Sequence, residues 1–351
     1  MSTILGSPLE PEIGGGLAAA ESGPGGRGES QGRIVFKRFL GNKVSVIALI
    51  LFLVIIVFSI SAIGLGPIPG WWHFPYSQLN QQVNGGAPSG VHPFGQDRLG
   101  RDYFALNMRG VQNSVLVMLV IGLLATVLGV VVGAVAGYFR GWVDAVLMRI
   151  TDVFIVIPAL VIGAVVGKSS NGLGAFGLAV LLGLVSWMVI ARLVRGEFLT
   201  LREREFVEAA RVAGASDGRI IFRHILPNAI GVIIVSSTLL IASAILLETA
   251  ISYLGYGIKS PDSSLGLLIG SNQSAFSTRP WLFWWPAAFI VLLALCVNFV
   301  GDGLRDAFDP QQRRFSLRRT KENDEVSAAQ PLFSDDLPGG TLSDDLPTRP
   351  Q

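Results

Sequence analysis

Charge is scarce in this chain: only 15% of its 351 residues are Asp, Glu, Lys or Arg. A soluble domain carries about 25%, and here half of the residues are hydrophobic, with a mean hydropathy of +0.54. Too few polar side chains remain to clothe a surface in water, which excludes a soluble globular protein. Cysteine is nearly absent as well. The lone Cys296 lies inside an apolar run, so no intramolecular disulfide and no cysteine-based metal cluster can form. His73, His92 and His224 are widely scattered and give no metal-ligand spacing. No zinc HExxH pair and no GxSxG elbow occurs. The segment Gly163-Ala164-Val165-Val166-Gly167-Lys168-Ser169 imitates a phosphate-binding loop, but its glycines stand one residue too close together. It also closes a hydrophobic run instead of joining a strand to a helix. No catalytic residue, metal or cofactor site is expected in this chain.

What the chain does have is long apolar runs. A helix needs about 20 apolar residues to cross a bilayer, and residues 44–63, 114–138, 229–247 and 281–300 meet that requirement. Residues 153–166 are short unless the helix begins near Ala145, which places Arg149 and Asp152 at one end; 173–190 is interrupted by glycines. The expectation is an all-α polytopic membrane protein with six transmembrane helices, a first outer loop over 64–111 and a long inner loop over 191–227. Gly129, Gly133 and Gly137 recur every four residues in the second span, a spacing that lets helices approach closely in lipid.

Lys and Arg set the orientation, because cytoplasmic loops retain them. With both termini cytoplasmic, the inner segments hold twenty-one of these residues and the outer loops six: Arg98, Arg101, Arg109, Lys168, Lys259 and Arg279. Trp71, Trp72, Trp281, Trp284 and Trp285 then fall at the outer ends of spans, as an aromatic belt should. Residues 1–32, rich in Gly, Ser and Glu, read as a disordered cytoplasmic tail, the first span acting as an uncleaved signal anchor. Residues 33–310 form the membrane domain. Residues 311–351 read as a second solvated cytoplasmic tail, in which Ser-Asp-Asp-Leu-Pro occurs at 334–338 and again at 343–347.

The long inner loop carries the most information. Glu205 to Ala213 read as a charged helix, and Gly214 can adopt the left-handed conformation that stops one. Ser216 or Asp217 can cap a second helix, in which Ile220, Ile221 and Ile225 recur at helical spacing until Pro227 breaks the pattern. The result is a helix-turn-helix elbow tied at both ends to transmembrane helices. A basic amphipathic loop resting on anionic lipid is the competing reading.

Glu208-Ala209-Ala210, Gly214 and Leu226-Pro227 stand at the spacing of the E-A-A-x-x-x-G signature, so the chain resembles the permease subunits of bacterial ABC importers. One departure is His224 where an isoleucine is usual. Three further stretches resemble the C-type permeases of dipeptide, oligopeptide and nickel importers. They are His92 to Asp102, Glu248 to Gly255, and Gly301 to Pro310. The resemblance covers roughly residues 33 to 315. It implies a type I importer fold with a cytoplasmic coupling helix. It also implies a homologous second permease, two ATPase subunits that bind the ATP and Mg, and an extracytoplasmic solute-binding protein, with no nucleic acid involved. Glu208, Ala209, Ala210, Gly214, Asp217, Ile225, Leu226 and Pro227 would then couple to the ATPase. Glu248, Asp97, Arg101 and Asp102 are candidates for the pathway or outer gate. Glu248 could meet a substrate amine, or pair with an outer-loop arginine such as Arg109. Peptides are the first choice of solute, with nickel or glutathione as alternatives. The rival class, an ion-gradient-driven carrier, usually keeps ionisable residues near the membrane midplane, and these spans hold almost none beyond Glu248.

Overall fold

The structure, a computed structural model, describes residues 31–169 and 173–308. Apart from residues 31 and 32, both expected tails lie outside the described residues, as do the repeated Ser-Asp-Asp-Leu-Pro segments and Asp309-Pro310.

Helix α1 (Gln31–Gly41) is short and amphipathic. It stops at Asn42, whose extended backbone lets its side-chain oxygen accept the Ser45 N–H at 3.3 Å and so cap α2 (Lys43–Ile63). Helix α2 is apolar on every side, and Ile47, Leu53, Val54 and Val57 stay exposed, as suits a helix in lipid. Gly64 and Gly66, both at positive φ, turn the chain into a two-residue hairpin, β1 (Gly64–Leu65) and β2 (Ile68–Pro69). An irregular cap follows.

Helix α3 (Tyr103–Phe139) has 37 residues, about 55 Å at 1.5 Å each, well beyond the roughly 30 Å of bilayer hydrocarbon. It starts eleven residues before the expected span, because Asp102 accepts the Ala105 N–H at 2.7 Å and caps it. Residues 103–111 of the expected outer loop are therefore helical. The third and fourth spans also differ from expectation. Helices α4 (Gly141–Val156) and α5 (Ala159–Ser169) meet at an 89° bend. Ile157 is extended there, as the residue before Pro158 must be when the proline ring disfavours the α conformation. Helices α6 (Gly174–Gly183) and α7 (Met188–Arg202) meet at 40°, where the Ser186 hydroxyl donates back to the Leu182 carbonyl at 2.7 Å. Helix α7 continues to Arg202, twelve residues past the expected end of the fourth span. Among the described residues, four helices are long and apolar enough to cross a membrane singly, and up to six spans result if each bent pair counts as one.

Next come α8 (Glu205–Val212), α9 (Asp217–Arg219), a π-helical turn over Ile220–Ile225, and α10 (Leu226–Tyr253). Helices α11 (Leu265–Asn272) and α12 (Trp281–Phe308) complete the bundle. Helix α3 lies at its centre, against α2, α6, α7 and α10. The glycine stripe serves this packing: a Cβ on Gly129 would stand 2.7 Å from Ile190 Cβ, on Gly133 2.8 Å from Val194 Cβ, and on Gly137 2.7 Å from Phe198 Cβ, all on α7. The phosphate-loop look-alike lies within α5, where Gly163 sits against the Ile251 side chain and Gly167 against the Tyr256 carbonyl. An apolar groove of about 580 Å³ opens beside the α4–α5 bend. Phe154, Pro158, Met188, Val189, Leu247 and Ala250 are among the residues that line it.

Candidate functional site

At one end of the bundle, α8 closes with a Schellman turn. Gly214, at φ +78°, donates its N–H to the Arg211 carbonyl at 3.0 Å, and Ala215 N–H reaches back to the Ala210 carbonyl at 3.0 Å. The left-handed glycine expected from sequence is therefore what stops the helix. The elbow is fixed to the bundle by buried Val207, Ile220, Ile221 and Ile225, which join Ile190, Val194 and Phe198 of α7 and Tyr138 of α3 in one apolar cluster. The Tyr138 hydroxyl donates to Asp217 Oδ1 at 2.6 Å. Arg202 Nη1 donates to the Tyr138 carbonyl at 2.6 Å, its guanidinium 5.5 Å from that ring's centre.

The expected residues divide accordingly. Glu208 and Ala209 are exposed, and it is Val207 that seats α8 on the bundle. Ala210 and Gly214 form the turn, Ile225 is fully buried and Leu226 half-buried. Two expectations need correction. Ser216 takes the N-cap position without a side-chain cap bond, and Asp217 bonds to Tyr138 instead of capping. Pro227 does not break the chain into elbow and span: helix runs without interruption from Asp217 to Tyr253. The π turn, in which Leu226 N–H reaches the Ile221 carbonyl, delivers Pro227 to the first turn of α10, where a missing N–H costs little. Tyr138 and Arg202 were not singled out from the sequence: Tyr138 lies on α3, outside the inner loop, and Arg202 counted only among the loop's arginines. Phe206, Val212 and Phe222 remain exposed on the elbow, at 40%, 85% and 71%.

The other end is covered by residues 64–102. Asp97 Oδ1 accepts the N–H groups of Leu99 and Arg101, both at 2.9 Å, and Asp97 Oδ2 accepts Arg101 Nε at 2.7 Å. Besides capping α3, Asp102 accepts Trp72 Nε1 at 3.0 Å and meets His92 Nδ1 at 2.6 Å. Both carboxylates are buried, and these contacts shape the cap. Phe94 stacks on Trp285 at 3.8 Å between ring centres, anchoring the cap to α12.

Glu248 is fully buried and accepts hydrogen bonds from Ser114 at 2.9 Å and Ser252 at 2.7 Å, with Ser264 beside it. The expected pairing with Arg109 is absent because Arg109 grips Asp262 with two bonds, 2.7 and 3.0 Å. Burial acts to raise the Asp262 carboxyl, yet the Arg109 guanidinium, the Ser263 N–H and Asn113 together hold it below the usual carboxylate range.

Residues 129–314 match the family described as binding-protein-dependent transport system inner membrane component. The chain belongs to this family. Residues 30–86 further match the N-terminal TM domain of oligopeptide transport permease C. The oligopeptide transport system permease protein OppC of Mycobacterium tuberculosis is 40% identical over 293 residues, 83% of this chain and 97% of the relative. OppC of Bacillus subtilis is 35% identical, covering 79% and 88%. Among solved structures, an inward-facing MetNI methionine ABC transporter is similar at 20% identity over 58% of this chain and 97% of that one, with a TM-score of 0.49. The protein is a permease subunit of an ABC importer. The elbow and helices α4 to α12 lie within the first matched segment, and α1, α2 and part of the cap within the second.

Proposed function

We propose that this subunit forms half of a peptide pathway and is driven by separate ATPases docked on its elbow. The observation that carries the reading is the attachment of α8. It is exposed on one side and held on the other by Val207 and the Schellman turn, within a cluster shared by α3, α7 and α10. An element fixed in this way moves with the helices behind it, so ATPase closure becomes a rigid-body tilt. Exposed Phe206, Val212 and Phe222 offer the apolar contact, and Glu208 the charged one.

The full assembly is a heterodimer with a homologous permease, two ATPases carrying ATP and Mg, and an extracytoplasmic solute-binding protein. It sits in the bacterial inner membrane with both termini cytoplasmic, a reading supported by the arginine distribution. ATP hydrolysis belongs to the partner subunits. Peptide as solute is supported by the oligopeptide relatives and by a groove whose apolar walls carry no charge to select one side chain over another. The test is purification with a tag on this chain, followed by reconstitution. Co-isolated ATPase and sister permease, with ATP-dependent tripeptide uptake requiring the binding protein, supports the proposal. Uptake driven by a proton gradient without ATP overturns it.

A further inference from the structure

The arrangement around Glu248 leaves little freedom in where protons point. Its carboxylate meets three serines from three elements: Ser114 of α3, Ser252 of α10 and Ser264, the N-cap of α11. Each serine oxygen also accepts a backbone N–H, from Leu265 at 3.4 Å, Ile258 at 3.3 Å and Leu267 at 3.2 Å respectively. A hydroxyl has a single proton, and in Ser114 and Ser252 it is directed at Glu248. Of these N–H groups, that of Ile258 lies within segment 254–264, which links α10 to α11, and that of Leu265 directly follows it. That segment lies tight on the carboxylate's surroundings. A Cβ on Gly257 would stand 2.6 Å from Ser252 Cα, and Asp262 is held to α3 by Arg109 and Asn113. Its Tyr256 carbonyl abuts Gly167 of α5. On α10, Leu246, Leu247 and Ala250 line the apolar groove, whereas Glu248 is turned toward α3 and α11.

We propose that Glu248 is a positioning residue: its carboxylate gathers hydroxyl protons from α3 and α10 beside the N-cap of α11 and thereby locks segment 254–264 against the wall of the translocation groove. The role of that groove rests on the import reading above, whereas the lock itself does not. Glu248→Gln tests it, because an amide N–H₂ would face hydroxyl protons that are already committed. Adding Ser252→Ala removes the opposing donor beside Oε1 and should relieve that conflict.

The first measurement is maleimide labelling of Tyr256→Cys in the detergent-solubilised complex, in a Cys296→Ala background. Glu248→Gln should raise the labelling rate about tenfold, the scale of one lost hydrogen bond to a carboxylate, and Ser252→Ala should return most of that. The second is tripeptide uptake in proteoliposomes: Vmax should fall and recover in the same order, with KM unchanged. Ser252→Ala alone, a gentler change, should raise labelling about threefold. Unchanged labelling in both single variants overturns the proposal. So does a rise in KM confined to peptides with a free amine over N-acetylated ones, which would make Glu248 a substrate contact. If the unaltered complex transports no peptide, the import reading fails while the labelling series still decides the lock.

Discussion

Gly214 offers the sharpest perturbation, because its surroundings isolate one variable. No atom lies within 4 Å of where its Cβ would stand, so a side chain there meets no steric obstacle. What remains is the backbone, at φ +78°. Holding an L-residue in that conformation costs about 1–2 kcal/mol, and a β-branched one more. The chain can escape only by giving up the Gly214–Arg211 and Ala215–Ala210 bonds, each worth about 0.5–1.5 kcal/mol. The two routes cost nearly the same, so Gly214→Val should populate a misaligned elbow instead of unfolding the protein. At roughly 2 kcal/mol the aligned population relative to the misaligned one falls about thirtyfold. Uptake and substrate-stimulated ATPase activity, measured in proteoliposomes with the complete complex, should fall together while membrane insertion is unaffected. Gly214→Ala should be intermediate. Gly214→Asn is the decisive control, because asparagine enters the left-handed region more readily than other side chains, and it should stay close to wild type. Wild-type activity in the valine variant would refute coupling through the elbow; an asparagine variant as impaired as valine would refute the φ argument.

Tyr138→Phe removes the bond to exposed Asp217 and should weaken the elbow's seating by roughly 1 kcal/mol, lowering stimulated ATPase activity with assembly intact; unaltered activity refutes the link. Gly133→Leu drives a side chain into the Ala191 carbonyl and Val194 at a cost of about 1–3 kcal/mol or more, so the yield of assembled complex should drop. For Asp262 the folded-state pKa lies below the unfolded one, so its contribution is present above the unfolded value and fades as pH falls through the folded value. Labelling of Tyr256→Cys, expressed relative to a free thiol at the same pH because only the thiolate reacts, should therefore be flat from about pH 7 to about pH 5, while Asp262→Asn raises it throughout. For topology, Ser216→Cys should be protected from impermeant reagents in intact cells and the exposed Gly90→Cys labelled; the reverse pattern inverts the orientation.

Much of the fold could be read from composition because membrane helices announce themselves locally. The runs containing α2, α3, α10 and α12 are long and apolar, and Gly214 carries its conformation in its identity. The departures occur where a neighbour decides. Helix α7 continues past the expected end because Arg195 finds Asp144 of α4 at 2.5 and 2.6 Å and Arg192 finds Asp152 at 2.5 Å. Hydropathy reads those arginines as the end of a span, while the structure keeps them on a helix. Pro158 was visible, but the 89° bend needs α5 seated on Ile251 and Tyr256. Pro227 was read as a break because a π turn leaves no trace in spacing. The partners of Glu248 were missed for a simpler reason: a search for opposite charge passes over serines.

The attachments also explain how a push at one end can reach the groove. The elbow follows directly from α7 and leads without interruption into α10. These two helices supply facing parts of the groove wall, Met188 and Val189 from α7 and Leu240, Leu247 and Ala250 from α10. The third part, Phe154 to Gly163, belongs to the α4–α5 bend, and α4 is linked to α7 by the two arginine–aspartate pairs. Displacing α8 therefore moves two walls directly and pulls on the third through ion pairs. The Arg192–Asp152 pair is exposed and contributes little stability, while Arg195–Asp144 is half-buried, but neither need be strong to transmit a displacement. Pro158 leaves the bend without the continuous hydrogen-bond ladder that would resist a change of angle. The stiff elements lie between elbow and groove, and the compliant one lies in the groove itself, which is the order a mechanically driven pathway requires.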